Sequence, residues 1–381
     1  MSIKIKPLQS TDIPAWDAYV HDHPQATLYH LSGWKNIIEK TYGHKTYYLM
    51  AIKNTPRPPT NSSNYQPSAM SYQLNGYTVV GLLPLVHLKH FLFGNSLISI
   101  PFFDLGGTLA DSEETEKALL SKAINLAQEL KVNSIELRHT QPLSWLNSTK
   151  KSSKSSRSCL ITTRSQKVRM LLHLPQSSEI LMKSFKSKLR SQIKKPMKEG
   201  LYSKVGGSEL LEDYYHVFCI NMRDLGSPVH SKKLIRHVLE EFPDKSRIVI
   251  VYKDNQPLAS SFMVGFNKTL ENPWASALRK YSDLSPNMLL YWAMLKYACE
   301  NGLRYFDFGR SSPGEGTYKF KEQWGARPTP LYWHYISLDG QPLDADTSEK
   351  SKFEKAIHYW QKLPVPVTKI LGPMIRKHIG L

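Results

Sequence analysis

Acidic side chains are scarce in this chain. Its 381 residues hold 32 Asp and Glu against 50 Lys and Arg, a formal net charge of +18 at pH 7. A chain so poor in acid is drawn to polyanions: tRNA, lipid pyrophosphates, nucleotide-linked sugar carriers or an anionic membrane face. Charge alone does not choose among them, and no DNA partner is expected. Cysteine is scarcer still. Cys159, Cys219 and Cys299 are odd in number and far apart, which excludes a disulfide framework and a zinc site. No metal is expected. Long apolar runs are also missing. Nothing approaches the ~20 residues that a membrane span needs. The opening MSIKIKPLQSTDIPAWDAY has no apolar signal core. A cytoplasmic location follows as an expectation, with peripheral membrane contact left open.

What is present is ordinary for a globular protein: 41% hydrophobic and 22% charged residues. The length suits two domains. Strand and helix periodicities alternate in both halves, so the fold class expected is α/β (α+β), a mixed sheet covered by helices in each half. The halves divide at 1–175 and 176–340, with a helical tail over 341–381. Val168 to Leu174 reads as the strand closing the first half. Two polar stretches, 54–76 and 147–158, read as loops. The tail ends in LPVPVTKILGPMIRKHIGL, apolar with a few basic residues, which suits packing on the second domain or lying on a membrane face.

Two stretches carry chemistry. The first is one amphipathic helix starting at Ser178, SSEILMKSFKSKLRSQIKKPMKEGL, the most basic helix of the chain. Lys183, Lys186, Lys188, Arg190, Lys194 and Lys195 decorate it, and such a face attracts phosphates. The second runs from Tyr305 to Tyr335. It opens as an aromatic strand holding Asp307, a carboxylate in an apolar run that needs a partner or a task. Gly309 reads as the end of that strand. Arg310, Ser311, a Ser-Pro-Gly loop, then Tyr318, Lys319, Lys321 and Trp324 follow, and Leu331 to Ile336 reads as a further strand of the second half. Charges and aromatics gathered at a strand end mark a ligand site. Arg223 in MRDLGSP is a further candidate for substrate contact.

FDFGRS, a gap, YKFKEQWGA and then an aromatic strand resemble the FemA/FemB/FemX family of peptidoglycan-bridge aminoacyltransferases. More closely, they resemble the FemAB-related branch found with exosortase (PEP-CTERM) and exopolysaccharide loci. The resemblance spans nearly the whole chain and is most specific between Lys183 and Tyr335. It implies two tandem GNAT-like acyltransferase domains, the second of the BioF2-like acetyltransferase kind. It implies that Lys321 sits at the reaction centre, that Asp307 accepts or steers the amine proton, and that Arg310, Ser311, Tyr318, Lys319 and Trp324 position substrates. Arg190, with Ile193, Lys198 and Gly200, fits the family's R-x-x-I pattern and is expected on acceptor phosphates. Trp34 matches a family aromatic that borders the acceptor, or is core.

The expected activity is N-acyl transfer to an amino group of a cell-envelope precursor, an exopolysaccharide or peptidoglycan intermediate on an anionic carrier. The acyl donor is aminoacyl-tRNA or acetyl-CoA. GNAT domains cradle a donor pyrophosphate on a Gly-rich turn before the main helix. Here that turn reads ALRKYSDLSPNMLLYW, without Gly-x-Gly, and Arg279 and Lys280 are the phosphate-binding candidates. The alternatives are ordinary acetyl-CoA-dependent N-acetyl transfer and a non-catalytic binder of an anionic glycolipid or RNA.

Overall fold

The structure, a computed structural model, describes residues 2–54, 73–74, 76–91, 93–143, 145, 159–341 and 347–380. Most of the two stretches read as loops, 54–76 and 147–158, lies outside the described residues. The chain forms two compact units: residues 1–165, 331–343 and 379–381, and residues 166–330 and 344–378. Each is a mixed sheet flanked by helices.

The first unit follows the chain as β1 (Ile3–Pro7), α1 (Ile13–Asp22), α2 (Gly33–Tyr42), β2 (Thr46–Asn54), β3 (Gln73–Leu74), β4 (Tyr77–His90), β5 (Gly94–Ile98), β6 (Leu109–Ala110), α3 (Glu113–Glu129), β7 (Ser134–His139) and β8 (Leu160–Arg164). Helix α3 starts where its sequence says it should. The Ser112 side chain accepts from the Thr115 N–H, and Glu113, Glu114 and Glu116 fill the positive first turn. Its apolar stripe of Leu119, Leu120, Ala123 and Ala127 is buried against the sheet.

The second unit continues with β9 (Val168–His173), α4 (Ser178–Ser184), α5 (Ser187–Lys198), β10 (Tyr202–Gly206), α6 (Leu211–Asp224), α7 (Lys232–Glu241), β11 (Ser246–Lys253), β12 (Gln256–Phe266), β13 (Thr269–Ala277), α8 (Pro286–Glu300), β14 (Tyr305–Ser311), α9 (Gly316–Glu322) and β15 (Arg327–Pro330). Its sheet order is β10-β11-β12-β13-β14-β9-β15. Helix α8 is apolar nearly all round, as a helix interior to a unit must be; Leu290, Met294, Leu295 and Ala298 are fully buried. Three elements complete the chain: β16 (Tyr332–Ser337), α10 (Thr347–Lys362) and α11 (Val365–Arg376). Both helices pack on α6 in the second unit. There α11 comes very close, because a Cβ on Gly372 would lie 2.9 Å from the Val229 nitrogen.

Two strands depart from the division expected at 175/176 and 340/341. β9 does not close the first sheet; it lies between β14 and β15 in the second. β16 does not extend the second sheet; it lies between β7 and β8 in the first. Both are short apolar strands, and such strands carry no mark of which sheet they join, since pairing is decided by neighbours far away in sequence. The single basic helix expected from Ser178 is also two. Ser177 is the cap, with its side chain accepting from Ile180 N–H, and Phe185 and Lys186 are extended (ψ 146° and 149°). The break buries the Phe185 ring against Trp324 and Trp292, with ring centroids at 5.6 and 6.3 Å.

Candidate active site

In the second unit β13 and β14 are parallel neighbours joined through α8. They pair at only three positions, Thr269↔Tyr305, Leu270↔Phe306 and Glu271↔Asp307. Beyond Asp307 both strands continue without pairing to each other. Backbone donors and acceptors on their facing edges therefore lack the ladder bonds that a closed sheet would give. Asn272 stands at the point of divergence, 4% exposed. Its Oδ1 accepts from Ser261 Oγ at 2.8 Å, and its side chain also hydrogen-bonds the Tyr291 phenol. Burial pushes that phenol up to about 12, with the Asn272 bond opposing the shift.

A bulge shapes the β14 side of this opening. Asp307 faces Leu171 and Arg310 faces Arg169, so two residues of β14 oppose one of β9. Gly309 does not end the strand, as its sequence suggests; it forms the bulge at φ +75°, where a side chain is disfavoured. A Cβ there would also lie 3.3 Å from the Asn272 carbonyl oxygen.

Asp307 and Lys321 both hold this bulge. Asp307 is 1% exposed. Its Oδ2 accepts from Arg169 Nε at 2.8 Å and Nη2 at 2.7 Å, and its Oδ1 accepts from Gly309 N–H at 2.9 Å. Both carboxylate oxygens are thus engaged, which corrects the expectation of a proton acceptor: the geometry is that of an anchor. Lys321, 8% exposed on α9, donates from Nζ to the carbonyls of Gly309 at 3.1 Å and Arg310 at 2.9 Å. An ammonium is therefore fixed beside the bulge, out of bulk water, where its charge is screened less than on the surface. Ser311 follows, buried, its Oγ without a hydrogen-bond partner. Sequence reading missed Arg169, Asn272 and Tyr291. A lone Arg in the apolar strand VRMLLH was the one available signal.

A cavity of about 650 Å³ lies next to α9. Its floor is Leu172, Leu181, Phe185, Leu189 and Trp324, and Lys186 and Lys188 stand at its edge. Trp324 is 1% exposed and its Nε1 has no partner. Arg190 braces the wall. Its Nη1 donates to the carbonyls of Phe185 at 2.8 Å and Lys183 at 3.3 Å, satisfying the end of α4. Lys183, Lys186, Lys188, Lys194 and Lys195 are exposed along α4 and α5.

The remaining candidates are elsewhere. Arg279 and Lys280 are exposed on the turn between β13 and α8. That turn is a poor phosphate cradle: Pro286 at the helix start has no N–H, and Met288 N–H is taken by the Ser285 carbonyl. Lys319 is exposed on α9, and Tyr318 packs half-buried against the core. Two further candidates are taken up by contacts inside their own units, Trp34 in the core as the second of its two readings has it. Arg223 is spent on Asp224 (2.6 Å) and the Leu363 carbonyl (3.2 Å), holding the end of α10. Trp34 is a core residue of the first unit, 0% exposed, donating to the Leu28 carbonyl and packed on Phe103 at 4.7 Å.

Residues 183–322 match the Acetyltransferase (GNAT) domain family, a span that includes Arg190, Asp307 and Lys321. The chain thus carries a GNAT-type acyltransferase domain. Its fold is similar to the crystal structure of FemX, with 14% identity and a TM-score of 0.60, covering 87% of this chain and 96% of that one. It is also similar to a conserved protein of unknown function from Bacteroides thetaiotaomicron: 12% identity, TM-score 0.53, 88% and 100% covered. A tandem GNAT protein from the clavulanic acid biosynthesis pathway aligns at 10% identity and a TM-score of 0.47, covering 90% of this chain and all of that one. No curated protein matches the chain.

Proposed function

We propose that the second unit transfers an acyl group, in the manner of the FemAB enzymes, to an amino group of a carrier-linked cell-envelope precursor. The observation that carries this reading is the opening between β13 and β14, with the Lys321 ammonium held at its bulge inside the GNAT domain. In such a transfer the neutral amine nitrogen attacks the donor carbonyl carbon. The bond from that carbonyl carbon to the donor's leaving group then breaks, C–O for an aminoacyl ester of tRNA or C–S for acetyl-CoA, and the amine proton leaves with the departing oxygen or sulfur or through solvent. Lys321 stabilises the negative charge that develops on oxygen. Asp307, through Arg169 and Gly309, keeps that ammonium and the bulge in place.

The cavity beside Trp324 is assigned to the carrier-linked substrate, for which an apolar floor edged by lysines is suited. A lipid carrier is favoured by α11. Val367, Ile370, Leu371 and Met374 form one apolar stripe on it, 37%, 68%, 40% and 59% exposed. No helix among the described residues is long and apolar enough to cross a membrane, so contact at this stripe would be peripheral. The weak phosphate cradle before α8 favours an aminoacyl ester of tRNA as donor. Arg279 and Lys280, exposed beside that cradle, favour the second reading, acetyl-CoA.

The test is binding of acetyl-CoA and of charged and uncharged tRNA to the purified protein at two salt concentrations. Preference for charged over uncharged tRNA is expected. Tight acetyl-CoA binding lost in Arg279→Ala would replace the donor. Salt-sensitive binding indifferent to the aminoacyl group would remove aminoacyl transfer, because a chain of charge +18 attracts any polyanion.

A further inference from the structure

The first unit carries an exposed apolar feature that the acyl-transfer reading does not use. β4 and β5 form a hairpin paired from Val86↔Ile98 to His90↔Gly94, which puts Phe91 and Phe93 at its tip. Phe91 is 88% exposed and Phe93 41%. Both rings pack on the His90 imidazole, with centroids at 4.7 and 4.9 Å, so they form one patch. Adjoining exposed aromatics mark a contact surface more than scattered ones do.

The arm that holds this patch is braced at its base. Asn95 Nδ2 donates to the Lys131 carbonyl at 2.9 Å, so the amide oxygen is the atom that accepts from His87 Nε2 at 2.6 Å. The Asn95 carbonyl accepts from the Asn133 N–H at 2.8 Å. These bonds fix the hairpin to the turn between α3 and β7, so the two rings are displayed by a built structure.

Charge and area choose the occupant. No Asp or Glu stands between Glu39 and Asp104, the stretch that supplies β2, β4 and β5. It does supply Lys45 and Lys89, both exposed, with His87 and His90. Lys89 lies two residues behind Phe91, about 7 Å along the strand. The Lys45 carbonyl accepts from the His87 N–H at 2.9 Å, which sets that lysine further back on the same arm. The headgroup layer of a bilayer is about 5–8 Å deep on each side. Rings at the tip therefore reach the acyl boundary when Lys89 is level with the phosphates. A protein partner fits less well. A specific interface buries about 800 Å² on each side, and two aromatic rings supply at most about 500 Å². A bilayer closes over a tip of any size.

We propose that this hairpin tip is a membrane anchor: Phe91 and Phe93 enter the interface of an anionic bilayer, and Lys89 and Lys45 meet its phosphates. The surface belongs to the first unit, is different from the α11 stripe, and does not rest on the acyl-transfer reading.

The experiment places a nitroxide on Phe91→Cys in the full chain. Cys159→Ser removes the half-buried native thiol, and Cys219 and Cys299 are buried. Vesicles are equal parts phosphatidylglycerol and phosphatidylcholine, or phosphatidylcholine alone. With the anionic vesicles the label should become open to oxygen dissolved in the bilayer and shielded from a water-soluble nickel chelate. Phe91→Ser with Phe93→Ser should weaken sedimentation with those vesicles about 10²-fold, as the transfer of two rings predicts. Lys89→Gln should weaken it about fivefold at low salt. The melting temperature should hold in each variant, since these side chains are exposed. A label that stays open to the nickel chelate, or equal sedimentation of parent and serine variant, would overturn the proposal. So would equal insertion into phosphatidylcholine alone, or a signal that follows protein concentration in place of lipid, the mark of a second copy at the tip.

Discussion

Replacing Asp307 with Asn separates an anchor from a base. The amide still accepts from the Gly309 N–H, so the bulge keeps that bond. What it loses is the charge opposite Arg169, whose side chain is only 15% exposed and whose cross-strand neighbour is another cation, Arg310. Removing one partner of a buried ion pair costs about 3–5 kcal/mol, because the other charge is left uncompensated. Partial exposure of Arg169 places this pair at the lower end, about 3 kcal/mol. For a unit of this size each kcal/mol is worth about 2–4 °C, so the melting temperature should fall by about 6–12 °C. The double variant Arg169→Met, Asp307→Leu removes both charges and should recover most of that loss, giving a large coupling energy in the double-mutant cycle. The assays are thermal unfolding by circular dichroism and turnover per folded molecule. A general base would show the opposite pattern, a loss of about 10²–10⁴ in rate with unchanged stability. If Asp307→Asn melts within a degree of the parent and is inactive, the anchor argument is refuted.

Lys321→Met keeps most of the side chain's length and removes its charge; the maximal rate should fall about 10²–10³-fold with KM little changed, as for loss of one oxyanion donor, and a change confined to KM would place Lys321 in binding instead. Acid should destabilise the chain. Burial holds His30 and His334 down to about 4, against 6.5 when free, so between those values the unfolded chain binds more protons than the folded one. Their contribution is fully present above pH 6.5 and is lost as pH falls towards 4, roughly 3 kcal/mol for each group at the limit; urea unfolding that is as costly at pH 5 as at pH 7.5 would contradict this. Ile370→Asp with Met374→Asp should lower binding to anionic vesicles by roughly 10²-fold, since burying each side chain is worth about 1.5–3 kcal/mol, and both are exposed enough for the melting temperature to hold. Equal sedimentation of parent and variant with vesicles would remove the membrane contact.

Periodicity made much of the fold legible. The aromatic strand opening at Tyr305, the helical character of the basic stretch after Ser177 and the strand near Leu331 to Ile336 lie where their residues place them, because each is decided by local spacing. Sheet membership was not legible. β9 and β16 read as strands in the right places, but their partners are set by contacts far apart in sequence. The site divides the same way. Asp307 was visible as a carboxylate in an apolar run, whereas its partner Arg169 is 138 residues away. Gly309 showed that the strand is interrupted and was read as its end, whereas it forms a bulge, since glycine serves both. The break between α4 and α5 was hidden because the apolar spacing runs through it.

The placing of β16 has a consequence for how this protein is made. β8 pairs with β16 in the first sheet, and the residues from 166 to 330 are synthesised between them. At about 5–20 residues per second, translation takes roughly 10–30 s to pass from one to the other. Throughout that interval the nascent first sheet presents β7 as an open edge, and residues 166–330 of the second unit are made before that edge is closed, with 344–378 still to follow. An exposed β edge is a site of mispairing, so the order of emergence, and not only the final stability, sets the window in which a chaperone or a neighbouring chain competes for this protein.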